Sequence, residues 1–223
     1  DRGIKICIAT VRSPIVLPKI DGVAFDAYLT FNGSLCYDRK GVIFSNPIPH
    51  KDVVRFIQNA AALGRPVCVS TRDRLAANGT DTDLTDYFFI ANEPVPVADD
   101  FDAVCAEDIY QLMLGCRPKD YPALLDGAPG AKIAAWWDRA VDVIPAGGGK
   151  GIGIEKMLAY YGLDKAEALA FGDGNNDREM LQAVGTGVAM ENGSPELKAI
   201  ADEICGPVYE DGIYHYCADK GLI

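Results

Sequence analysis

The sequence of 223 residues lacks the features that mark several classes of protein. Basic residues are few: 21 Lys plus Arg stand against 32 Asp plus Glu, a net charge of −11, which repels nucleic acid and anionic lipid. No apolar run approaches the roughly 20 residues that span a bilayer. The two histidines, His50 and His215, are too far apart in the sequence to indicate a metal pair. We therefore expect no nucleic-acid partner and no membrane partner.

The cysteine pattern excludes two further classes. There are seven cysteines, an odd number without a C-x-x-C pair, so neither a disulfide framework nor a zinc ribbon is indicated. The chain does not open with the basic, apolar and small-residue pattern of a signal peptide. We expect a soluble protein of the reducing cytoplasm, either a monomer or a homodimer.

Hydrophobic periodicity predicts an α/β fold. Strands are predicted at 4–10, 25–31, 41–44, 67–70, 111–116, 132–137, 168–171 and 187–190, and helices at 49–63, 83–91, 118–125, 152–161 and 177–184. The alternation after residue 152 is typical of a parallel sheet with helices on its faces. We predict a Rossmann-like parallel-sheet core formed by residues 1–46 and 140–223, with an inserted α+β cap domain at 47–139.

The sharpest chemical signal is Phe171-Gly172-Asp173-Gly174-Asn175-Asn176-Asp177, where an apolar strand enters a glycine turn before a helix. Clustered carboxylate and amide oxygens suit Mg²⁺, which prefers oxygen ligands and keeps several waters. Asp173 is the candidate direct ligand, and Asp177 would act through water. The alternative is an ordinary loop in which Asp177 is a helix N-cap.

A second signal is the glycine-rich stretch from Gly147 to Gly153, with Lys150 in its middle. It has neither P-loop spacing, because Gly151 follows the lysine where Ser or Thr is needed, nor Rossmann spacing. A cation near a helix start remains, which could hold one phosphate. The alternative is a plain loop with a solvated lysine.

A third candidate site follows the first predicted strand, at Thr10-Val11-Arg12-Ser13. Ligands of open α/β sheets bind at the carboxyl ends of strands, where a hydroxyl group and backbone amides could hold a phosphate. A threonine at a strand end is also a common turn residue, and both interpretations stay open on these residues alone.

In this order, the three motifs resemble those of the haloacid dehalogenase-like hydrolases, specifically the Cof-type sugar-phosphate phosphatases with an α/β cap. The segment Ile8–Arg12 looks like the second motif of that family, Lys150–Ile154 like the third and Gly172–Asp177 like the fourth. The segment Phe25–Gly33 is similar to the stretch that precedes the cap. The resemblance extends over nearly the whole chain.

The resemblance implies roles for individual residues. Thr10 would hydrogen bond the phosphoryl group, Lys150 would neutralise its charge, and Asn176 and Asn32 would contact the substrate. Asp173 and Asp177 would hold magnesium.

The family's nucleophile lies in an Asp-x-Asp motif, which the resemblance places upstream of Asp1, on a first core strand that would precede residue 1. The segment Asp81–Thr85 matches the pattern of that motif, but it follows a polar, turn-like run at 72–80 and lies inside the expected cap. We therefore reject it as the nucleophile.

The expected function is a magnesium-dependent phosphatase of small phosphorylated metabolites, with sugar phosphates foremost. Two alternatives remain: a phosphotransferase or mutase on the same core, and a non-catalytic protein that binds a phosphometabolite. Within the cap, Trp136 and Trp137 could stack on a sugar ring or could be core aromatics.

Overall fold

The computed structural model describes residues 3–17, 20, 22–135 and 137–223. It divides into two compact units, one reaching residue 148 and the other starting at residue 149. Each unit has its own sheets and is described separately. Within the described residues, no helix combines the length and apolar character that crossing a bilayer would require.

A four-stranded sheet begins the first unit, in the order β1-β2-β3-β4. Its strands are Cys7–Ala9, Ala27–Thr30, Leu35–Asp38 and Gly41–Ser45. The pair β1 and β2 is parallel, and β3 and β4 follow as an antiparallel meander. The strand β3 was not predicted. The turn before β4 is closed by Asp38, whose carboxylate accepts hydrogen bonds from two backbone amides, those of Lys40 and Gly41.

A five-stranded antiparallel sheet forms the rest of the first unit, in the order β6-β5-β7-β9-β8. Its strands are Cys68–Ser70 (β5), Leu75–Ala77 (β6), Gln111–Gly115 (β7), Ala131–Ala134 (β8) and Ala140–Pro145 (β9). The helices of this region are His50–Ala62 (α1), Thr82–Phe89 (α2), Phe101–Val104 (α3) and Tyr121–Leu124 (α4). Fully buried side chains such as Phe56, Leu112 and Leu114 form the core between α1 and the sheet.

Some elements of this region differ from those predicted. The run at 72–80, expected to be a polar turn, contains β6, and the predicted helix at 118–125 is a 3₁₀ turn followed by the single turn of α4. Strand β9 pairs with β7 and β8, so residues 140–145 belong to the antiparallel sheet although the sequence assigned them to the core. The division into a core and an inserted cap otherwise stays a prediction.

The second unit alternates helices and parallel strands. Its helices are Lys150–Tyr161 (α5), Arg178–Ala183 (α6), Pro195–Lys198 (α7) and Gly212–Asp219 (α8), and its strands are Leu169–Gly172 (β10), Thr186–Met190 (β11) and Glu203–Cys205 (β12). The strands form one parallel sheet in the order β10-β11-β12. The predicted α/β class with parallel strands is therefore confirmed.

Candidate active site

The loop after β10 is organised around the carboxylate of Asp177. One oxygen, Oδ2, accepts hydrogen bonds from the backbone N–H groups of Asp173 at 3.0 Å and Gly174 at 3.1 Å. Gly172 is required here, since a Cβ at this position would come within 2.6 Å of the Asp177 Cβ. The two ends of the motif are therefore held together by a single buried side chain.

The other oxygen of Asp177 pairs with Lys150, the first residue of α5. The Nζ–Oδ1 distance is 2.5 Å, and the side chains are only 6% and 7% exposed. Lys150 is therefore not a solvated loop lysine. Asp177 occupies the N-cap position of α6, as the alternative interpretation expected, but its side chain makes no capping hydrogen bond there and bonds backward to the loop.

Asp173 differs from Asp177 in its exposure. Its side chain faces solvent, and the amide nitrogen of Asn192 lies 3.4 Å from its Oδ2, a long contact for a hydrogen bond. Asn176 is exposed too, and its side-chain oxygen lies so close over Gly174 that a Cβ there would collide with it. Oxygen atoms of both residues are thus available to a ligand at the end of β10.

The segment Asn192–Ser194, which sequence reasoning missed, completes this edge of the sheet. The Ser194 backbone N–H donates to the Asp173 carbonyl oxygen at 3.0 Å, and the Ser194 hydroxyl donates to Asn175 Oδ1 at 2.7 Å. A signal is present in the sequence, since polar residues follow β11 directly and parallel neighbouring strands end at the same edge. This sequence signal is weak because the Asn-Gly-Ser segment contains no carboxylate.

The donor set of this loop suits a hard cation. Asp173 offers an exposed carboxylate, whereas the oxygens of Asp177 already accept three hydrogen bonds, which suits a position behind a water ligand. In the part of the chain that the structure describes, no three His, Cys, Asp or Glu side chains gather into a metal-binding group. A cation held by the single exposed carboxylate of Asp173 would keep several waters, which is the habit of Mg²⁺.

In the first unit, Thr10 and Asn32 are brought together at the carboxyl ends of β1 and β2. The Asn32 N–H donates to the Thr10 carbonyl oxygen at 3.0 Å, and the Thr10 hydroxyl accepts from the Arg12 N–H at 3.1 Å. The left-handed conformation occurs at Phe31 and Asn32, with φ of 49° and 55°, and not at Val11. A β-branched residue at Val11 therefore causes no backbone strain.

The rejected segment Asp81–Thr85 has a structural role. Asp81 caps α2 by accepting a hydrogen bond from the Leu84 N–H at 2.8 Å. Asp83 is almost buried and is paired with three arginines, Arg65, Arg117 and Arg139. The Arg117 and Arg139 hydrogen bonds hold the pKa of the Asp83 carboxyl below its ordinary value, against an opposing effect of burial.

The tryptophan pair is only partly visible, since Trp136 lies outside the described residues. Trp137 is half-buried, and the guanidinium group of Arg139 lies 5.1 Å from the centre of its ring. One face of this ring is thus occupied by a cation. The role of the pair in sugar binding stays a prediction.

Comparison with known proteins identifies the family of the chain. A family model of haloacid dehalogenase-like hydrolases matches residues 1–217. The chain is 33% identical over 224 residues to the putative phosphatase YkrA of Bacillus subtilis, covering 100% of this chain and 86% of that protein. Two solved structures are similar over 99% of this chain. One is the phosphatase BT1666 of Bacteroides thetaiotaomicron, with 30% identity, 83% of that chain and a TM-score of 0.90. The other is the subclass IIB sugar phosphatase BT4131, with 26% identity, 87% of that chain and a TM-score of 0.82.

The match extends over nearly the whole chain and over both units. The motifs at Thr10, Lys150 and Gly172–Asp177 thus occur in a chain whose relatives and structural neighbours include phosphatases. The chain therefore belongs to the haloacid dehalogenase-like hydrolases, in their Cof-type branch, and is a phosphoric monoester hydrolase.

Proposed function

We propose that this protein is a magnesium-dependent phosphatase of small phosphorylated metabolites, with sugar phosphates as the expected esters. It would act through a phosphoaspartyl intermediate on an aspartate upstream of Asp1. The observation that carries the proposal is the buried Lys150–Asp177 pair, whose Asp177 also accepts a hydrogen bond from the backbone N–H of the exposed Asp173. A buried charge pair is costly to maintain without a function or a strong structural need.

The residues of the second unit have complementary roles in this proposal. Asp173 would hold Mg²⁺ directly and Asp177 through water, and the bound cation would neutralise negative charge on the phosphoryl group. Lys150 contributes a second positive charge, held in one orientation by Asp177. Phosphoryl transfer depends mainly on such positioning and charge neutralisation.

The remaining candidate residues would bind the substrate. Thr10 would donate a hydrogen bond to a phosphoryl oxygen, Asn176 would contact the phosphate, and Asn32 would contact the rest of the ester. The antiparallel sheet and its helices would form the cap that selects the ester. Location in the cytoplasm and the choice between monomer and homodimer stay predictions.

The test is phosphate release by the native gene product, after its intact mass and N-terminal sequence have been determined. A panel of sugar phosphates is assayed with and without Mg²⁺, first on the wild type and then on Asp173→Ala. Asp99→Ala, which removes an exposed aspartate of the first unit, is the matched control. Circular dichroism checks that both variants fold.

Magnesium-dependent release that disappears in Asp173→Ala but not in Asp99→Ala would support the proposal. Wild-type activity in Asp173→Ala would refute the metal assignment. If the native protein binds sugar phosphates but releases no phosphate, the non-catalytic alternative is favoured. Phosphate that appears on an added acceptor sugar would indicate a phosphotransferase.

A further inference from the structure

Hydrogen bonds hold the backbone of Asp173 on both sides. Its N–H donates to Asp177 Oδ2 at 3.0 Å, and its carbonyl oxygen accepts from the Ser194 N–H at 3.0 Å. Gly193 packs directly on it, since a Cβ at Gly193 would lie 3.1 Å from the Asp173 Cα. The backbone of the candidate magnesium ligand is therefore fixed by the loop after β10 and by the segment after β11, and only its side-chain torsions are left to be determined.

One side chain is placed to restrain those torsions. Among the described residues, the Asn192 amide is the one group within hydrogen-bond distance of the Asp173 carboxylate, with its Nδ2 3.4 Å from Oδ2. The other carboxylate oxygen, Oδ1, accepts no hydrogen bond from these residues. A contact of 3.4 Å is at the outer limit for a hydrogen bond, but such contacts in unliganded active sites commonly shorten when the ligand binds.

The amide of Asn192 is itself anchored. Its Oδ1 accepts a hydrogen bond from the Val208 N–H at 3.0 Å. Since an amide oxygen only accepts and a backbone N–H only donates, this bond decides which way round the amide lies, with its NH₂ group towards Asp173. An anchored side chain loses less conformational entropy when it holds a carboxylate than a free surface side chain would. Val208 begins the 3₁₀ turn Val208–Glu210 that follows β12.

The conformation of the turn does not account for the asparagine. Asn-Gly sequences are common in turns because both residues tolerate a positive φ, yet neither Asn192 nor Gly193 has one. What an asparagine contributes at this position is therefore its side chain, which contacts Asp173 with one end and Val208 with the other.

We propose that Asn192 is a positioning residue for the metal ligand: anchored on the Val208 N–H, its amide holds Asp173 Oδ2 and leaves Oδ1 for the cation. This inference rests on the proposed function, in which Asp173 holds Mg²⁺. Carboxylates that bind a metal are in turn hydrogen-bonded, and loss of such a partner typically weakens metal affinity by about 10–100-fold. Because this contact is long, we expect an effect near the lower limit, about tenfold.

The experiment titrates Mn²⁺ into the native gene product without substrate. Mn²⁺ takes the same oxygen ligands as Mg²⁺, and its unbound fraction is measured by electron paramagnetic resonance, so the result does not depend on turnover. For Asn192→Ala we expect the Kd for Mn²⁺ to rise about tenfold. Asn192 is exposed, so its loss leaves no buried cavity, and circular dichroism checks that the variant folds.

A second variant removes the anchor and leaves Asn192 in place. Val208→Pro deletes the N–H that Asn192 accepts from. The backbone is compatible with proline, which is favoured at the first position of a helical turn, and the preceding Pro207 has φ of −72° and ψ of 160°, the extended conformation favoured before proline. We expect the Kd for Mn²⁺ to rise. The matched control is Val208→Ala, which keeps the N–H and trims a side chain that is 61% exposed, and its Kd should equal that of the wild type.

Two results would overturn the positioning role directly. One is an unchanged Kd for Mn²⁺ in Asn192→Ala. The other is an equal rise in Val208→Pro and Val208→Ala, which would show that the N–H to Asn192 has no part in the effect. Where phosphate release is measured, the Mg²⁺ concentration for half-maximal rate should rise together with the Kd for Mn²⁺, and kcat at saturating Mg²⁺ should return towards that of the wild type.

Asp173→Ala separates failure of this inference from failure of the proposed function. If Mn²⁺ binding is lost in Asp173→Ala but unchanged in Asn192→Ala, the metal assignment stands and the positioning role is refuted. If the wild type binds no Mn²⁺, or Asp173→Ala binds it as tightly as the wild type, the metal assignment fails and the positioning role fails with it. If the protein binds Mn²⁺ through Asp173 but releases no phosphate, only the phosphatase activity is refuted, and the Kd of Asn192→Ala still decides the positioning role.

Discussion

Replacement of Lys150 by methionine tests whether the Lys150–Asp177 pair holds the second unit together. The two side chains are 6% and 7% exposed and 2.5 Å apart, so neither charge is solvated. Removing one partner of a buried pair typically costs about 3–5 kcal/mol, because the other charge stays buried without compensation. Asp177 would keep two backbone donors, those of Asp173 and Gly174. We therefore expect a loss near the lower limit, about 3 kcal/mol.

The assay is urea unfolding followed by circular dichroism. With a slope of about 2–3 kcal/mol per M, a loss of 3 kcal/mol lowers the midpoint by about 1–1.5 M. The matched control is Lys220→Met, which removes an exposed pair with Glu203, with side chains 47% and 39% exposed; such exposed pairs contribute little to stability because water screens both charges. The double variant Lys150→Met with Asp177→Asn should recover part of the loss. The reasoning is refuted if Lys150→Met costs no more than Lys220→Met.

Three further predictions concern the first unit. Gly115→Ala should lower the free energy of unfolding by about 1–3 kcal/mol, as overpacking does, because the Cβ of the new alanine would collide with the Cβ of Asp83. An unchanged urea midpoint for this variant would contradict the prediction. Hydrogen bonds from Arg117 and Arg139 lower the pKa of the Asp83 carboxyl from its ordinary value of 3.8. The charged carboxylate therefore stabilises the folded state fully above pH 3.8, and this stabilisation is lost as the pH falls through the lower pKa of the folded state. Asp83→Asn should therefore be less stable than the wild type at pH 7, and the gap should close in unfolding curves below about pH 4; a gap independent of pH would refute the pairing. Burial raises the pKa of the Cys36 thiol to about 12. Burial also raises the pKa of the Cys7 thiol, but Cys7 is exposed and open to a reagent whereas Cys36 is buried. Peptide mapping after maleimide treatment at pH 8 should therefore find Cys7 labelled first, and equal labelling of both would contradict the described burial.

Local patterns predicted the elements around the candidate site well. The helix α1 was predicted at 49–63 and is found at His50–Ala62, because its apolar residues repeat with helical period. The strand β10 and the turn after it were read from an apolar run followed by Gly172 and Asp173. These elements could be predicted because their signals lie within a few residues of one another.

Other elements have no such local signal. Strand β3 follows the Phe31–Gly33 turn so closely that the sequence reads as one long connection, and its place is decided by pairing with β2 and β4. Strand β9 is buried along its whole length, and its place in the antiparallel sheet is decided by pairing with β7, which lies well before it along the chain, as well as with the neighbouring β8. The periodicity of hydrophobic residues along the chain does not indicate which strands pair with each other.

By itself, the sequence determined which residue types are available for chemistry: a lysine before a helix, two aspartates in a glycine turn, and a threonine after a strand. Their order along the chain was enough to indicate the family. The tertiary structure decided what each side chain does. Asp173 and Asp177 are alike in sequence, yet one is exposed and the other is buried against Lys150. Only the packing of α5 against α6, and of α6 against β10, decides this, because burial and charge pairing depend on neighbours that are remote in the sequence.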